Sequence, residues 1–465
     1  LSISFDASGV GGFQLRYPDV GRVGVTAEYT GSGPDAGLVM TGEGRFVARP
    51  ARFTLDIPGN PAAEDENGDP FTQAGSPFRI TVAARNASDA ITPNFGREST
   101  PEGVDLALSL FAPSGGVEPG LVGGFGSFAT DCDGNSATPG TACGEFSWPE
   151  VGIVSIEPSL ASGAYLGTGD VVGSSVDRVG RFIPNHFELS SGEIVDRAAL
   201  SGCSSSSFTY IGERFDARFT LYARNADGVT TANYEGDFAY LAGSELGLSG
   251  SPAPDIDAAA VGWIMGVGDA SARLTVSRST PQAPDPDYRV TTTPVDSDGV
   301  SLSGNDLVDS TVLRFGRLVV DNAVGSELGP LELPWRSEYW GGTTWLTTTD
   351  DDCTVLELAS DVQLASSGGD SGNGTTTVSL GGGGTSVDPG ESDLTLGAGV
   401  GSIHFTAPGV PGWVDVLLIL GADWSFLRDD LDDDGAYDDD PRARASFGLF
   451  DGNDQRIYIR EIPPQ

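Results

Sequence analysis

Apolar and polar residues alternate along many short stretches of the chain. The pattern is clearest in residues 79–95 (RITVAARNASDAITPNF) and 218–234 (RFTLYARNADGVTTANY), where every second position is apolar before a polar turn. A period of two is typical of β-strands that bury one face. Glycine and proline, at 66 and 29 residues, interrupt these stretches, and such breaks suit turns better than long helices. The pattern predicts an all-β fold.

The same two stretches form an internal repeat. They align without gaps, and the turn residues Ser88 and Asp89 of one fall where the other has Asp227 and Gly228. A second marker is GRF at 44–46 and 180–182 and GRL at 316–318, with 136 residues between successive copies. A fixed period indicates tandem modules of one fold.

These markers predict four units. Residues 1–45 are expected to be an N-terminal β segment, either the end of a preceding module or strands donated to a neighbour. Residues 46–180 and 181–316 are expected to be immunoglobulin-like sandwiches, from their length and strand spacing. Residues 317–465 are expected to form a distinct C-terminal β-sandwich, in which the turn 451–454 (DGND) predicts a β-hairpin.

The chain is strongly acidic, with a net charge of −41, and all 25 of its basic residues are arginine. Such a surface repels phosphate groups, which argues against nucleic acid and anionic membranes as partners. No apolar run approaches the ~20 residues that cross a bilayer, so membrane insertion is not expected. Acidic, lysine-free surfaces are common in proteins that face high salt, and arginine use through codon bias explains the composition equally well.

Four cysteines, Cys132, Cys143, Cys203 and Cys353, are present, and none lies in a CxxC pair, which argues against zinc. Of the three possible pairings we favour Cys132 with Cys143, across a short loop, and Cys203 with Cys353 as a long-range bridge. Four reduced, buried thiols are the alternative. Disulfides would place the protein outside the cytoplasm. Because the chain begins at Leu1, we expect a processed product or part of something longer.

An ordered series of motifs resembles a known family. The motifs are GRFIPNHF (180–187), FTYIGERF (208–215), ARNADG (223–228), GRLVVDNAVGSEL (316–328), EYWGGTTWLTTTDDDC (338–353) and DDDPRARASFGLFDGNDQRIYIRE (438–461). The series resembles the C-terminal region of MshQ-like accessory proteins of the MSHA type IV pilus. The resemblance implies an exported, pilus-associated protein whose domain has no assigned function, and it supplies no catalytic residues.

The acidic run 428–441 (RDDLDDDGAYDDDP) is the main metal candidate. Alternate carboxylates followed by glycine have the spacing of a calcium loop, in which they converge on one hard cation. The candidate ligands are Asp430, Asp432, Asp434 and Asp438, with Asp439 or Asp440 needed to complete the shell. A solvated acidic loop is the alternative. Residues 64–69 (EDENGD) and 131–135 (DCDGN) are weaker candidates, with sequences typical of turns. No cofactor other than calcium is expected.

Aromatic residues cluster at Trp335, Tyr339, Trp340 and Trp345. Exposed rings of this kind bind sugars, so Trp340 and Trp345 are candidate glycan contacts. Packing within the last sandwich is the alternative, and it is the one we favour.

The sequence predicts a protein that is not an enzyme. Its two histidines, His186 and His404, lie in different predicted units, and no nucleophile elbow, zinc-protease motif or phosphate loop is present. We expect an extracellular surface or pilus-associated protein with a structural or adhesive role, whose partners are surface or pilus proteins, copies of itself or a glycan. The alternatives are a filament subunit joined by strand donation or head-to-tail contacts, and a carbohydrate-binding module.

Overall fold

The computed structural model describes residues 3–448 except 201, 202, 204, 205, 389, 391 and 392. Among these residues, 47% lie in strands and 4% in helices. The predicted all-β, immunoglobulin-like fold class is therefore confirmed. The hairpin predicted around residues 451–454 lies outside the described residues.

The N-terminal hairpin is a separate two-stranded sheet. Its strands are β1 (Gly21–Thr30) and β2 (Val39–Ala48), and a 3-10 turn at Gly33–Asp35 lies between them. The strands pair antiparallel over their full length, from Gly21 opposite Ala48 to Thr30 opposite Val39. Since directly opposed residues share a face, the face with Val23, Val25 and Tyr29 is apolar.

The first sandwich contains two four-stranded sheets, ordered β3-β5-β8-β7 and β4-β10-β9-β6. Its strands are β3 (Arg52–Asp56), β4 (Thr72–Gln73), β5 (Phe78–Arg85), β6 (Val104–Ala112), β7 (Val122–Phe125), β8 (Thr141–Ser147), β9 (Gly152–Leu160) and β10 (Val176–Ile183), with a 3-10 turn at Tyr165–Gly167. Alternating apolar residues of both sheets meet in its core, where Phe53, Trp148 and Phe182 are fully buried.

The second sandwich has the sheet orders β11-β13-β16-β15 and β12-β18-β17-β14. Its strands are β11 (His186–Val195), β12 (Phe208–Tyr210), β13 (Arg214–Arg224), β14 (Leu248–Ser249), β15 (Asp255–Ile264), β16 (Val267–Thr275), β17 (Asp285–Thr292) and β18 (Leu307–Arg314), with 3-10 turns at Gly236–Phe238 and Gly243–Glu245.

The two sandwiches share one topology. Adding eight to each strand number of the first gives both sheet orders of the second, including the parallel pairs β4–β10 and β12–β18. The repeated sequences 79–95 and 218–234 fall on the equivalent strands β5 and β13 and on the turns that follow. By the same offset, the N-terminal hairpin β1–β2 corresponds to β9–β10 and β17–β18.

One sequence marker is corrected by this topology. The GRF residues 44–46 and 180–182 lie inside β2 and β10, whereas GRL at 316–318 begins the next strand, β19 (Gly316–Val320). The carbonyl of Ile183 accepts the Ala74 N–H just after β4, as the carbonyl of Arg314 accepts the Ile211 N–H just after β12, so the residues equivalent to Arg181 and Phe182 are Val312 and Leu313, inside β18. The GRL marker, although it is 136 residues after GRF at 180–182, is therefore not at the structurally equivalent position.

The C-terminal sandwich is built from shorter strands around one large core. In addition to β19, its strands are β20 (Ala323–Gly325), β21 (Leu331–Trp340), β22 (Trp345–Thr347), β23 (Val355–Glu357), β24 (Val362–Ser366), β25 (Ser371–Asn373), β26 (Thr377–Ser379), β27 (Gly384–Ser386), β28 (Asp393–Thr395), β29 (Val400–Phe405), β30 (Gly412–Leu418) and β31 (Arg442–Phe447). It also contains the four-residue helix α1 (Leu358–Asp361) and a 3-10 turn at Ser425–Leu427. The acidic run connects β30 to β31.

Both favoured disulfides are present. Cys132 and Cys143 bridge 11 residues of the first sandwich, with their Cα atoms 5.0 Å apart. Cys203 and Cys353 bridge 150 residues, with their Cα atoms 5.7 Å apart. The second bridge joins the second sandwich to the C-terminal sandwich.

Candidate functional site

The acidic run forms a closed loop with a paired neck. The backbones of Asp429 and Asp439 exchange two hydrogen bonds, of 3.0 and 2.9 Å. Outside this pair, Arg428 Nε contacts Asp440 Oδ1 at 2.9 Å. Asp429 is 7% exposed and ion-pairs with Arg317 at 3.1 Å. The neck is therefore fixed by backbone pairing and by two arginines.

Three carboxylates converge inside the loop. Oxygen atoms of Asp430, Asp432 and Asp439 all lie within 4.8 Å of one another, a spacing that suits a hard cation bound by oxygen. Of the predicted ligands, Asp430 and Asp432 are brought together, and Asp439, one of the two residues expected to complete the shell, is the third member of the group. Asp434 and Asp438 lie outside this group, and Asp434 Oδ1 accepts the Ala436 N–H at 2.7 Å.

An arginine from the second sandwich holds both sides of this loop. The Arg278 guanidinium donates to the carbonyl oxygens of Tyr437 (2.7 Å), Arg428 (2.7 Å) and Gly316 (2.9 Å). It also lies 4.3 Å from the centroid of the Phe315 ring. Burial lowers the pKa of Arg278 to about 10, and the nearby charge of Asp429 opposes that shift. The loop is therefore docked onto the second sandwich.

The aromatic cluster lies beside the same loop. Trp335 belongs to the C-terminal core and is 1% exposed. Trp340 and Trp345 are half-buried and meet edge to face, with ring centroids 5.5 Å apart. The Arg317 guanidinium covers the Trp345 ring at 3.9 Å while it ion-pairs with Glu338 at 2.8 Å. The aromatic cluster and the acidic loop, which lie far apart in sequence, are thus neighbours, because Arg317 contacts Trp345 in one and Asp429 in the other.

A second ionic group lies wholly inside the joint between the second and C-terminal sandwiches. Arg197 Nε contacts Glu213 Oε1 at 3.0 Å, and its Nη1 contacts Asp351 Oδ1 at 2.6 Å. These three side chains are at most 1% exposed. The Tyr210 hydroxyl donates to Asp351 at 2.9 Å, and the Cys203–Cys353 bridge is two residues away from Asp351 along the chain.

The charges of this group do not balance, because one guanidinium faces two carboxylates. Burial raises the pKa of Glu213 to about 7, against the attraction of Arg197. The pKa of Asp351 is lowered, since Arg197 and the hydrogen bonds from Thr354 and Tyr210 outweigh its burial. Asp351 is therefore the ionised partner of Arg197, and Glu213 is the group that takes up a proton near neutral pH.

The weaker candidates form turns. Asp131 accepts the N–H groups of Asp133 and Asn135 at 3.1 and 2.6 Å, and Asp65 accepts that of Asn67 at 3.0 Å. His186, on β11, has Nδ1 3.0 Å from Asn185 Oδ1. His404, on β29, has Nε2 3.6 Å from Glu332. The two histidines lie in different sandwiches.

Sequence reasoning missed Arg197, Arg278, Glu213 and Asp351. A signal was available for Asp351, which is close to a cysteine expected to bridge two domains. Arg197 and Arg278 carried no local pattern, because Asp351 and Tyr437, which they bind across the joint, lie 154 and 159 residues away.

Among the described residues, no helix has the length and apolar character needed to cross a bilayer.

The chain has weak structural similarity to several solved proteins. One is the Escherichia coli adhesin FdeC, with 16% identity over 86% of this chain and 99% of that chain and a TM-score of 0.36. Another is the titin tandem I9–I11, with 8% identity, coverage of 85% and 98%, and a TM-score of 0.25. A third is Yersinia pseudotuberculosis InvD, with 9% identity, coverage of 79% and 92%, and a TM-score of 0.23. No curated protein matches the chain.

Four profiles of one sequence family match successive parts of the chain. The first, described as an Ig-like domain, matches residues 1–43, and the second, third and fourth match 49–140, 150–317 and 314–462. The third profile begins before β9, although β9 and β10 hydrogen-bond within the first sandwich. Together these matches cover nearly the whole sequence, and the chain belongs to the DUF6701 family, a domain of unknown function with tandem Ig-like domains.

Proposed function

We propose that this protein is a non-enzymatic, exported structural or adhesive protein of a bacterial surface that works with a type IV pilus. The observation that carries the proposal is the way its sandwiches are coupled. A buried ionic group and a 150-residue disulfide join the second sandwich to the C-terminal one. Coupling of this kind suits a stalk that holds a binding element away from the cell, since each module contacts mainly its neighbours.

The disulfides support a location outside the cytoplasm, where such bonds persist. The acidic surface supports a partner that is neither nucleic acid nor anionic lipid. The link to the MSHA pilus rests on the motif series described above and on no other observation.

Location and association can be tested on cells of the source bacterium. Antibodies against the purified chain should label intact cells, and mild shearing should release the protein together with pili. A cytoplasmic protein released only by lysis would contradict the surface role. Surface labelling without recovery in the sheared pilus fraction would contradict the pilus link alone.

The N-terminal hairpin favours a filament subunit as a second candidate. In the two sandwiches, the equivalent hairpins β9–β10 and β17–β18 each have a further strand on both edges. Among the described residues, β1 and β2 form a sheet with each other alone. A strand from a second copy would fill such an edge. This candidate predicts ordered polymers of the purified chain in electron micrographs, and a monomer at every concentration would contradict it.

Calcium binding in the acidic loop is a separate proposal. Thermal unfolding of the chain in excess EDTA and then in millimolar calcium, at fixed ionic strength, tests it. A ligand that binds only the native state raises the midpoint by mass action. Asp432→Asn and Asp439→Asn should abolish the rise, whereas Asp438→Asn, outside the converging group, should retain it. An unchanged midpoint in the parent chain would contradict calcium binding.

Glycan binding at Trp340 and Trp345 is the weaker proposal, because Arg317 already covers one ring face of Trp345 at 3.9 Å. We favour a packing role for both rings. Titration of a panel of sugars against tryptophan fluorescence would test this, and a saturable change lost in Trp340→Ala would support glycan binding.

A further inference from the structure

Two joints along the chain are built from the same parts. The N-terminal hairpin meets the first sandwich through Pro18, Asp19 and Val20, directly before β1. The first sandwich meets the second through Pro149, Glu150 and Val151, directly before β9. Each segment therefore ends in glycine at the start of a strand, with the sequence Pro, acid, Val, Gly.

The receiving surface is the turn after β5 or β13, which the internal repeat makes equivalent. Asn86 Oδ1 accepts the N–H groups of Ser88 and Ala90 at 2.9 and 3.1 Å. Asn225 Oδ1 accepts those of Asp227 and Val229 at 3.0 and 2.9 Å. In each turn the side-chain oxygen of the asparagine therefore accepts hydrogen bonds from the turn itself, and its NH₂ group donates to a residue outside the turn.

That partner is the proline carbonyl of the preceding module. Asn86 Nδ2 donates to Pro18 O at 2.7 Å, and Asn225 Nδ2 donates to Pro149 O at 3.0 Å. Proline has no N–H, so its carbonyl oxygen is the backbone group through which it can form a hydrogen bond. Asn86 and Asn225, which are 139 positions apart and equivalent in the internal repeat, thus make the same contact at the two joints.

The acid next to the proline makes the second shared contact. Asp19 Oδ1 accepts the Asn94 N–H at 3.1 Å, and Glu150 Oε1 accepts the Asn233 N–H at 3.0 Å. Bonds from backbone N–H groups to a carboxylate are stronger than neutral ones. The longer glutamate also accepts the Ala232 N–H, at 2.9 Å.

The valine makes the third contact, by entering the core of the module that follows. Val20 is 1% exposed and belongs to the core cluster of Phe53, Val82 and Phe95 in the first sandwich. Val151 is 1% exposed and belongs to the core of the second sandwich with Phe187 and Tyr234. Removing a valine side chain from water in this way stabilises the joint.

We propose that the asparagine turn of the first and of the second sandwich is a docking site for the preceding Ig-like module, and that its ligand is a Pro-acid-Val segment. The side-chain amide of the turn asparagine binds the proline carbonyl, and the backbone N–H eight residues further along binds the acid. The core of the receiving sandwich takes up the valine. The joint between the second and C-terminal sandwiches is built differently, from Arg197 and the Cys203–Cys353 bridge. The docking site fixes the angle between modules, wherever in the cell envelope the protein acts.

The proposal is tested on the full chain by distances between spin labels. All native cysteines are in disulfides, so labels can be placed at Ser99→Cys in the first sandwich and Ser271→Cys in the second, both exposed. Asn225→Asp keeps the acceptor of the turn and removes the donor to Pro149. Combined with Val151→Ala, it should replace one narrow distance distribution with a broad one.

Two controls separate a loosened joint from a damaged sandwich. Asn86→Asp makes the same change at the other joint and should leave the Ser99–Ser271 distribution narrow. A label pair inside the second sandwich, Ser271→Cys with Ser303→Cys, should give the same distance in every variant. An unchanged Ser99–Ser271 distribution in the double variant, or a broad one in the parent chain, would overturn the proposal.

Discussion

Arg197 and Arg278 each bind several groups at the joint between the second and C-terminal sandwiches, and a lysine at either position could not bind all of them. Arg197 reaches two carboxylates, and its Nη2 donates to the Thr354 hydroxyl at 3.0 Å. Arg278 reaches three carbonyl oxygens from three places in the chain. A guanidinium presents five donors in a rigid plane, whereas an ammonium presents three around a point. The geometry of the joint between the second and C-terminal sandwiches therefore depends on arginine and not on positive charge alone.

The buried group around Arg197 gives the strongest expected effect of a single substitution. Arg197→Met leaves Glu213 and Asp351 buried without their cation, which costs about 3–5 kcal/mol in comparable buried pairs. Chemical denaturation of the parent and the variant measures the difference in free energy of unfolding. Arg218→Met, which removes an exposed contact with Glu193 of 3.7 Å, is the matched control and should change little. A similar free energy for the two variants would show that the buried group is not a stabilising link.

Glu213 makes stability depend on pH in a defined direction. Its folded pKa of about 7 lies above the ordinary glutamate value of 4.5, so the folded state binds the proton more tightly than the unfolded state. This contribution is fully present below about pH 4.5 and is lost as the pH rises through 7. The free energy of unfolding should therefore fall by roughly 2–3 kcal/mol from this group between pH 5 and pH 8.

Glu213→Gln is the variant that isolates this contribution. Denaturation curves at several pH values should show a shallower decline for Glu213→Gln than for the parent chain. Some decline remains, because burial also raises the pKa values of Glu150 and Asp296. Parallel pH profiles of parent and variant would rule out Glu213 as the titrating group.

At the scale of elements, the strands and the repeat were predictable and the contacts between them were not. The alternation around Val82 and Leu221 placed β5 and β13, because a half-buried strand imposes a period of two. The ligand set of the acidic loop stays a prediction, and spacing along the chain could not show which of its carboxylates lie close together. Asp439 enters the group because backbone pairing at the neck brings it back to Asp430.

The N-terminal hairpin has one apolar face that remains open to solvent. Met40 is 55% exposed, Tyr29 45% and Phe46 38%, and all three lie on that face by their strand register. A two-stranded sheet is only marginally stable alone and normally covers such a face. Tyr29→Thr combined with Met40→Thr should therefore reduce the fluorescence of a dye that binds apolar surface.

The control for this prediction is on the other face of the same hairpin. Glu28→Gln combined with Thr41→Ser changes two exposed, directly opposed residues and should leave the dye signal as it is in the parent chain. Equal dye binding by both double variants would place the apolar surface elsewhere on the molecule.

At the scale of the whole molecule, the long disulfide changes the path of a stretching force. Force applied to the two ends of the chain enters the second sandwich through β11 and reaches Cys203. From there it passes through the bond to Cys353, in the C-terminal sandwich. Strands β12 to β22 lie between the two cysteines and carry no tension while the bond is intact. The disulfide therefore shields most of the second sandwich.

This path predicts a difference between the oxidised chain and a Cys203→Ser, Cys353→Ser variant in single-molecule pulling. The bond closes 150 residues, which span ~500 Å when extended at about 3.4 Å each. The variant should release that extra length, in an unfolding step that the oxidised chain lacks. Removing the Cys132–Cys143 bond is the control, since its 11 residues add only ~40 Å. Equal total extension of the parent and the Cys203→Ser, Cys353→Ser variant would mean that force does not pass through this bond. That result would contradict a load-carrying role of the disulfide in the proposed stalk.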